Sequence, residues 1–162
     1  MGAKKSAAHW ASYLVKQGNV DPKTSTQIGI RGNPRTLDWL QASYDIGYQV
    51  ITMDEYRKFG HDKCSKMILD RLGDNPIYIT FDLDCLDATV APGTANIEPA
   101  IKGFNMDEVT HLIQSLKGKN IIGGDVACLM PTKDNPNNIT SMVAASIMFE
   151  IICLISLNLQ RK

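Results

Sequence analysis

Short apolar runs alternate with helical patterns along the chain. The spacing predicts strands over 26–30, 49–52, 76–82 and 120–126, and helices over 6–17, 36–46, 60–72, 105–117 and 138–157. Regular strand-helix alternation of this kind predicts an α/β fold, with a parallel sheet covered on both faces. Local signals mark several boundaries: Gly47 ends the helix carrying Leu37, Leu40 and Ile46, Asn105 stands as an N-cap three residues before Glu108, and Gly118 closes that helix. The loops 31–35, 82–104 and 127–137 each follow a strand, so they are expected to converge on one crevice at the carboxyl edge of the sheet. The longest apolar stretch, 139–159, is interrupted by Thr140, Ser141, Ser146, Glu150, Ser156 and Asn158. It reads as a buried core helix rather than a membrane span.

One of those loops carries concentrated charge. Asp82, Asp84 and Asp87 follow the apolar run Ile77-Tyr78-Ile79, and Ala91-Pro92-Gly93-Thr94 comes just after them. Asp82 and Asp84 are two residues apart, so in extended backbone both leave the same face. Adjacent carboxylates repel, and a cation relieves the repulsion. Oxygen donors suit Mg²⁺, Mn²⁺ or Ni²⁺. The alternative is that Asp-x-Asp before a Pro-Gly turn caps the loop by accepting backbone N–H bonds.

The whole run from Thr80 to Thr94 resembles the central metal-binding motif of the ureohydrolase family, which contains arginases and agmatinases. Asp21-Pro22, Gln27-Ile-Gly-Ile-Arg-Gly32, Gly73-Asp74, Ile121-Ile-Gly-Gly-Asp-Val126 and Asn138-Ile-Thr-Ser141 agree in order with the same family. The resemblance implies a three-layer αβα, arginase-like fold with a parallel sheet. It also implies that residues 1–162 form the C-terminal portion of a single domain, because the family's early His and its Asp-Ala-His-x-Asp motif do not occur. The implied cofactors are two divalent ions, Mn²⁺ or Ni²⁺, with Asp82 and Asp84 as ligands. The implied reaction is attack of a bridging hydroxide on a guanidino carbon, releasing urea. In that reading Asp87 takes a catalytic part through hydrogen bonds to the intermediate, with turn capping as its alternative. His9 is a second catalytic candidate, with helix packing beside Trp10 as its alternative.

Two departures from the family pattern bear on the substrate. The family's Asp-Val-Val-Glu-Val-x-Pro places a guanidinium-clamping Glu where this chain has Cys128, within Asp125-Val126-Ala127-Cys128-Leu129-Met130-Pro131. The loop after the central motif is also remodelled around Asn96. Cys128 and Asn96 are therefore the substrate-binding candidates, and the pattern resembles the guanidine-hydrolase branch, with nickel as its metal. The opposing reading is an inactive truncated remnant, or a decoy subunit that associates with full-length homologues.

Composition narrows the partners. Seventeen basic and seventeen acidic residues give a formal charge of zero, so neither nucleic acid nor an anionic membrane is the expected partner, and a small guanidino substrate is. Cys64, Cys85, Cys128 and Cys153 show no Cys-x-x-Cys spacing, which favours a reducing compartment. No apolar h-region follows Gly2-Ala-Lys-Lys, so the expected location is the cytoplasm. A sheet cut in its middle exposes a strand edge and apolar faces, and a homo-oligomer is expected. His61 and His111 read as surface residues, and Arg31 as a structural one.

Overall fold

The computed structural model describes residues 9–32, 36–99 and 102–160. In chain order these form α1 (Trp10–Lys16), β1 (Thr26–Ile30), α2 (Gln41–Ile46), β2 (Gln49–Thr52), α3 (Met53–Phe59), α4 (His61–Leu72), β3 (Ile77–Asp82), α5 (Met106–Ser115), β4 (Ile121–Ala127) and α6 (Ile139–Leu159). Short 3₁₀ turns lie at Pro22–Thr24, Leu83–Cys85 and Pro131–Lys133. The four predicted strands are all present and the pairing is parallel throughout, as alternation with helices requires.

The sheet itself differs from expectation. Among the described residues β1 bonds only to β2 and β3 only to β4, giving two separate two-stranded sheets. One apolar core nevertheless joins them, with Ile51 of β2, Met53 and Tyr56 of α3, Ile77 of β3, Val109 and Ile113 of α5, Ile121 of β4 and Ile147 and Ile151 of α6 in one cluster.

The β3–β4 pair carries the functional loops, and its register explains its two faces. Ile77 aligns with Ile121 but Tyr78 with Gly123, so Ile122 is an extra residue. Ile79, Phe81 and Val126 then turn to the core, while Tyr78 and Ile122 stand 57% and 60% exposed on the outside. Gly124 lets α6 close onto the sheet: a Cβ there would sit 2.8 Å from Ile151 Cγ2 and 2.7 Å from the Ile79 carbonyl oxygen.

Three helical expectations change. Residues 53–59, a stretch to which the apolar pattern assigns no element, form α3; Thr52 caps it by accepting from the Glu55 amide at 3.2 Å while Glu55 accepts from the Thr52 amide at 2.8 Å. The helix expected over 36–46 begins only at Gln41. The third is α6, which is buried on one side only. Val143, Ile147, Ile151 and Leu154 face the core, whereas Met142, Phe149, Ile152 and Leu159 are exposed. Its 21 residues are long and apolar enough to cross a membrane. The first three residues of the helix expected over 6–17 lie outside the described residues, as do 33–35 of the loop expected over 31–35 and residues 100 and 101 of the 82–104 loop.

Candidate metal centre

The carboxyl ends of β3 and β4 lie side by side because Asp82 is in register with Ala127. Asp82 is the last residue of β3, and the chain then enters the 3₁₀ turn Leu83–Cys85. Asp82 and Asp84 are therefore brought together by a turn and not by strand alternation, which corrects the expectation of a shared strand face. The Asp84 amide donates to Asp82 Oδ1 at 2.9 Å, a capping bond of the kind that Asp-x-Asp before a turn also predicts. Capping uses only one lone pair of one oxygen, so it leaves both carboxylates able to bind a cation.

Cys128 follows Ala127 and completes the group. A donor atom from each of Asp82, Asp84 and Cys128 lies within 4.8 Å of the others. The backbone at Cys128 is left-handed, with φ 67°, a conformation uncommon outside glycine, asparagine and aspartate. Although Cys128 is exposed, partial desolvation, a hydrogen bond to Asp82 and the charges of Asp82 and Asp84 push its thiol up to about 12. In the absence of a cation Cys128 is therefore a neutral thiol at physiological pH. Two carboxylates and one thiol fit a divalent cation, and three donors are fewer than two ions need.

The loop bearing the carboxylates is fixed from behind. Arg31, one residue past β1, donates from Nε to the Asp84 carbonyl at 3.1 Å, and from its two terminal nitrogens to the carbonyls of Glu98 at 2.7 Å and Leu86 at 2.6 Å. Its expected structural role is realised as a three-point clamp on the 84–98 loop. Asn96 Nδ2 donates to Asp84 Oδ2 at 2.7 Å. The structure thus sets Asn96 against a carboxylate of the Asp82 and Asp84 pair, where it orients Asp84.

Asp87 accepts from the Thr89 hydroxyl at 2.6 Å, the Thr89 amide at 3.0 Å and the Gly103 amide at 3.2 Å. The Thr89 bonds are the main cause that holds its carboxyl below the usual carboxylate range. These are the bonds of a turn cap and loop staple. Gly103 permits the staple, since a Cβ there would lie 2.4 Å from the Asp87 nitrogen. His9 precedes α1, a helix with no fully buried residue, which packs against α2 and, through the Ala11 carbonyl, accepts from the Tyr48 hydroxyl at 3.3 Å. His9 does not belong to the converging donors.

His111 is exposed as expected, but His61 is half-buried: its ring nitrogens lie 3.3 Å from the Tyr56 hydroxyl and 3.3 Å from the Ser65 hydroxyl. Both histidines line a groove of about 250 Å³ with Tyr56, Arg57 and Glu108, which shares no residue with the donor cluster. All four cysteines are unpaired.

A family model described as the arginase family matches residues 1–154. The chain belongs to the arginase family. Guanidinopropionase of Pseudomonas aeruginosa is 33% identical over 142 residues, covering 88% of this arginase-family chain and 44% of that protein. Agmatinase of Escherichia coli is 36% identical over 137 residues, covering 85% of the chain and 41% of the relative. Among solved structures, proclavaminate amidino hydrolase of Streptomyces clavuligerus superposes with a TM-score of 0.81 at 29% identity, over 91% of this chain and 47% of that one. The chain therefore spans less than half the length of these relatives, and the fold of that half is arginase-like.

Proposed function

We propose that this chain is the metal-binding C-terminal portion of an amidine hydrolase that releases urea from a small guanidino compound, guanidine or an agmatine-like amine. The observation that carries the reading is the convergence of Asp82 and Asp84 at the carboxyl end of β3, on a loop clamped by Arg31. Asp82 and Asp84 would hold a divalent cation, with manganese and nickel as the candidates. When bound, such a cation lowers the pKa of bound water toward about 7 and so supplies a nucleophile at neutral pH. Asn96 keeps one Asp84 oxygen oriented, and Asp87 staples its own turn to the Gly103 amide. The substrate end differs from agmatinase-like relatives. Cys128 provides no anion at the guanidinium-clamping position, so a guanidinium placed there finds no charge partner in that residue. Guanidine, which has no side chain to anchor, suits this site better than agmatine.

Further ligands for a two-ion centre would come from the N-terminal half that the full-length relatives possess. The test is urea release by this chain alone and by the chain combined with such a half, loaded with Mn²⁺ or Ni²⁺, from guanidine and from agmatine. Urea from guanidine that disappears with Asp84→Asn supports the reading. Metal retained with no urea from either substrate favours the second reading, a non-catalytic subunit that associates with full-length homologues. That second reading is favoured by the exposed apolar residues Tyr78 and Ile122 outside the β3–β4 pair and by the exposed side of α6.

A further inference from the structure

We propose that Cys128 is itself a metal ligand, its Sγ completing with Asp82 and Asp84 a mixed oxygen and sulfur site for a borderline divalent cation. The inference rests on the proposed metal centre and changes the role expected for Cys128, from substrate contact to ligand. Register is its first support: Asp82 pairs with Ala127, so the residue after Ala127 emerges beside the Asp-x-Asp turn. The donor atoms of Asp82, Asp84 and Cys128 lie within 4.8 Å of one another, although Asp82 ends β3, Cys128 follows β4 and the two stand 46 positions apart in sequence.

Reach is the second. Cysteine carries one heavy atom beyond Cβ, so a thiol already directed at the two carboxylates cannot also extend outward to a substrate held beyond the cation. Charge is the third. Among the described residues neither Asp82 nor Asp84 takes part in a salt bridge, so the pair of adjacent carboxylates is not neutralised by an ion pair there. Membership of a family whose enzymes depend on divalent metals supplies an independent reason for a cation at this point. On binding, the Cys128 S–H bond breaks, its proton passes to solvent, and a bond from sulfur to the metal forms; no electron is transferred. A thiolate donor shifts preference away from Mn²⁺ and toward Co²⁺, Ni²⁺ and Zn²⁺, which accept softer ligands.

The test is titration of the full chain with Co²⁺ alone, following the near-ultraviolet charge-transfer band that thiolate coordination produces and, separately, the amount of cobalt bound. The expected result is a band that saturates with bound cobalt, persists in Cys85→Ser, and is abolished in Cys128→Ser and Cys128→Gly. Cobalt affinity should fall at least the roughly 10-fold that loss of an outer-shell partner costs. Glycine at 128 relieves the left-handed backbone, so loss of the band in that variant cannot be assigned to failure to fold. Cobalt bound by the wild-type chain without the band, or with a band unchanged by both Cys128 substitutions, overturns the ligand role of Cys128 and leaves the carboxylate centre standing. Failure to bind cobalt overturns both.

Discussion

The Asp84 carboxylate is held by Asn96, whose Nδ2 reaches Oδ2 at 2.7 Å and whose backbone amide reaches Oδ1 at 3.4 Å, while the Arg31 guanidinium takes the Asp84 carbonyl rather than its carboxylate. A carboxylate tethered only by neutral amide groups keeps its charge available while losing rotational freedom, which is the usual part of an outer-shell partner at a metal site. Asn96→Ala should therefore weaken divalent-metal binding about 10- to 100-fold while the thermal midpoint of the metal-free chain stays nearly unchanged. Calorimetric titration beside a melting curve separates the two effects. The carboxylates were legible in the sequence because Asp82, Asp84 and Asp87 crowd like charges directly behind an apolar strand, where only a cation or a tight turn can accommodate them. The way they meet was not legible, because a strand ending at Asp82 and a 3₁₀ turn starting at Leu83 look the same as two more strand residues. The approach of Cys128 was readable only from the register of β3 against β4, since parallel neighbours present their carboxyl-terminal residues side by side. The Arg31 clamp depends on backbone carbonyls, which no residue pattern reveals.

Among the elements, α6 has its helix start built from outside the helix. Asn138, which precedes it, has φ 53° and gives no side-chain cap. Asp134 serves instead, accepting from the Thr140 amide at 3.0 Å and the Ser141 amide at 2.9 Å, and Asn135 Oδ1 accepts from the Ile139 amide at 3.1 Å. Desolvation opposes ionisation of Asp134, but the bonds from Ser141 and Thr140 together outweigh it and hold the carboxyl down at about 2, below the ordinary aspartate value of 3.8. A carboxyl depressed in the folded state adds stability above the unfolded value and loses it as pH falls through the folded one. The stabilisation is thus complete above about pH 4 and gone below about pH 2. Asp134→Asn should lower the melting temperature at pH 7 and show a shallower fall between pH 4 and pH 2 than wild type, measured by circular dichroism across that range. A wild-type and variant difference independent of pH would rule out the charged cap. The apolar length of α6 is plain in the residue pattern but this cap is not, because it lies four residues before the N-cap position, inside an apparent loop. The α3 helix was signalled by Thr52-Met53-Asp54-Glu55, a capping box, but the strand pattern ending at Thr52 masked it.

Taken together, the two strand pairs share one core yet leave much apolar surface uncovered. Phe149 is 64% exposed and Ile152 53% exposed on α6, and Tyr78 and Ile122 project from the outer face of β3–β4. Parallel sheets are ordinarily covered on both faces, and patches of this kind in soluble chains mark contact surfaces. Apolar periodicity predicts which segments are strands, whereas it does not encode which strands hydrogen-bond to one another, and among the described residues the two pairs stay separate. The chain on its own should therefore self-associate. Replacing Phe149 with Glu and Ile152 with Lys removes apolar surface on α6 without touching Val143, Ile147, Ile151 or Leu154, which hold the helix to the core. Sedimentation velocity should then show the wild-type chain as oligomer and the double variant shifted toward monomer. Cobalt uptake should be unchanged, because neither altered residue belongs to the donor cluster of Asp82, Asp84 and Cys128. A wild-type chain that sediments as monomer would mean that this apolar surface is tolerated in water and that no partner is needed to cover it.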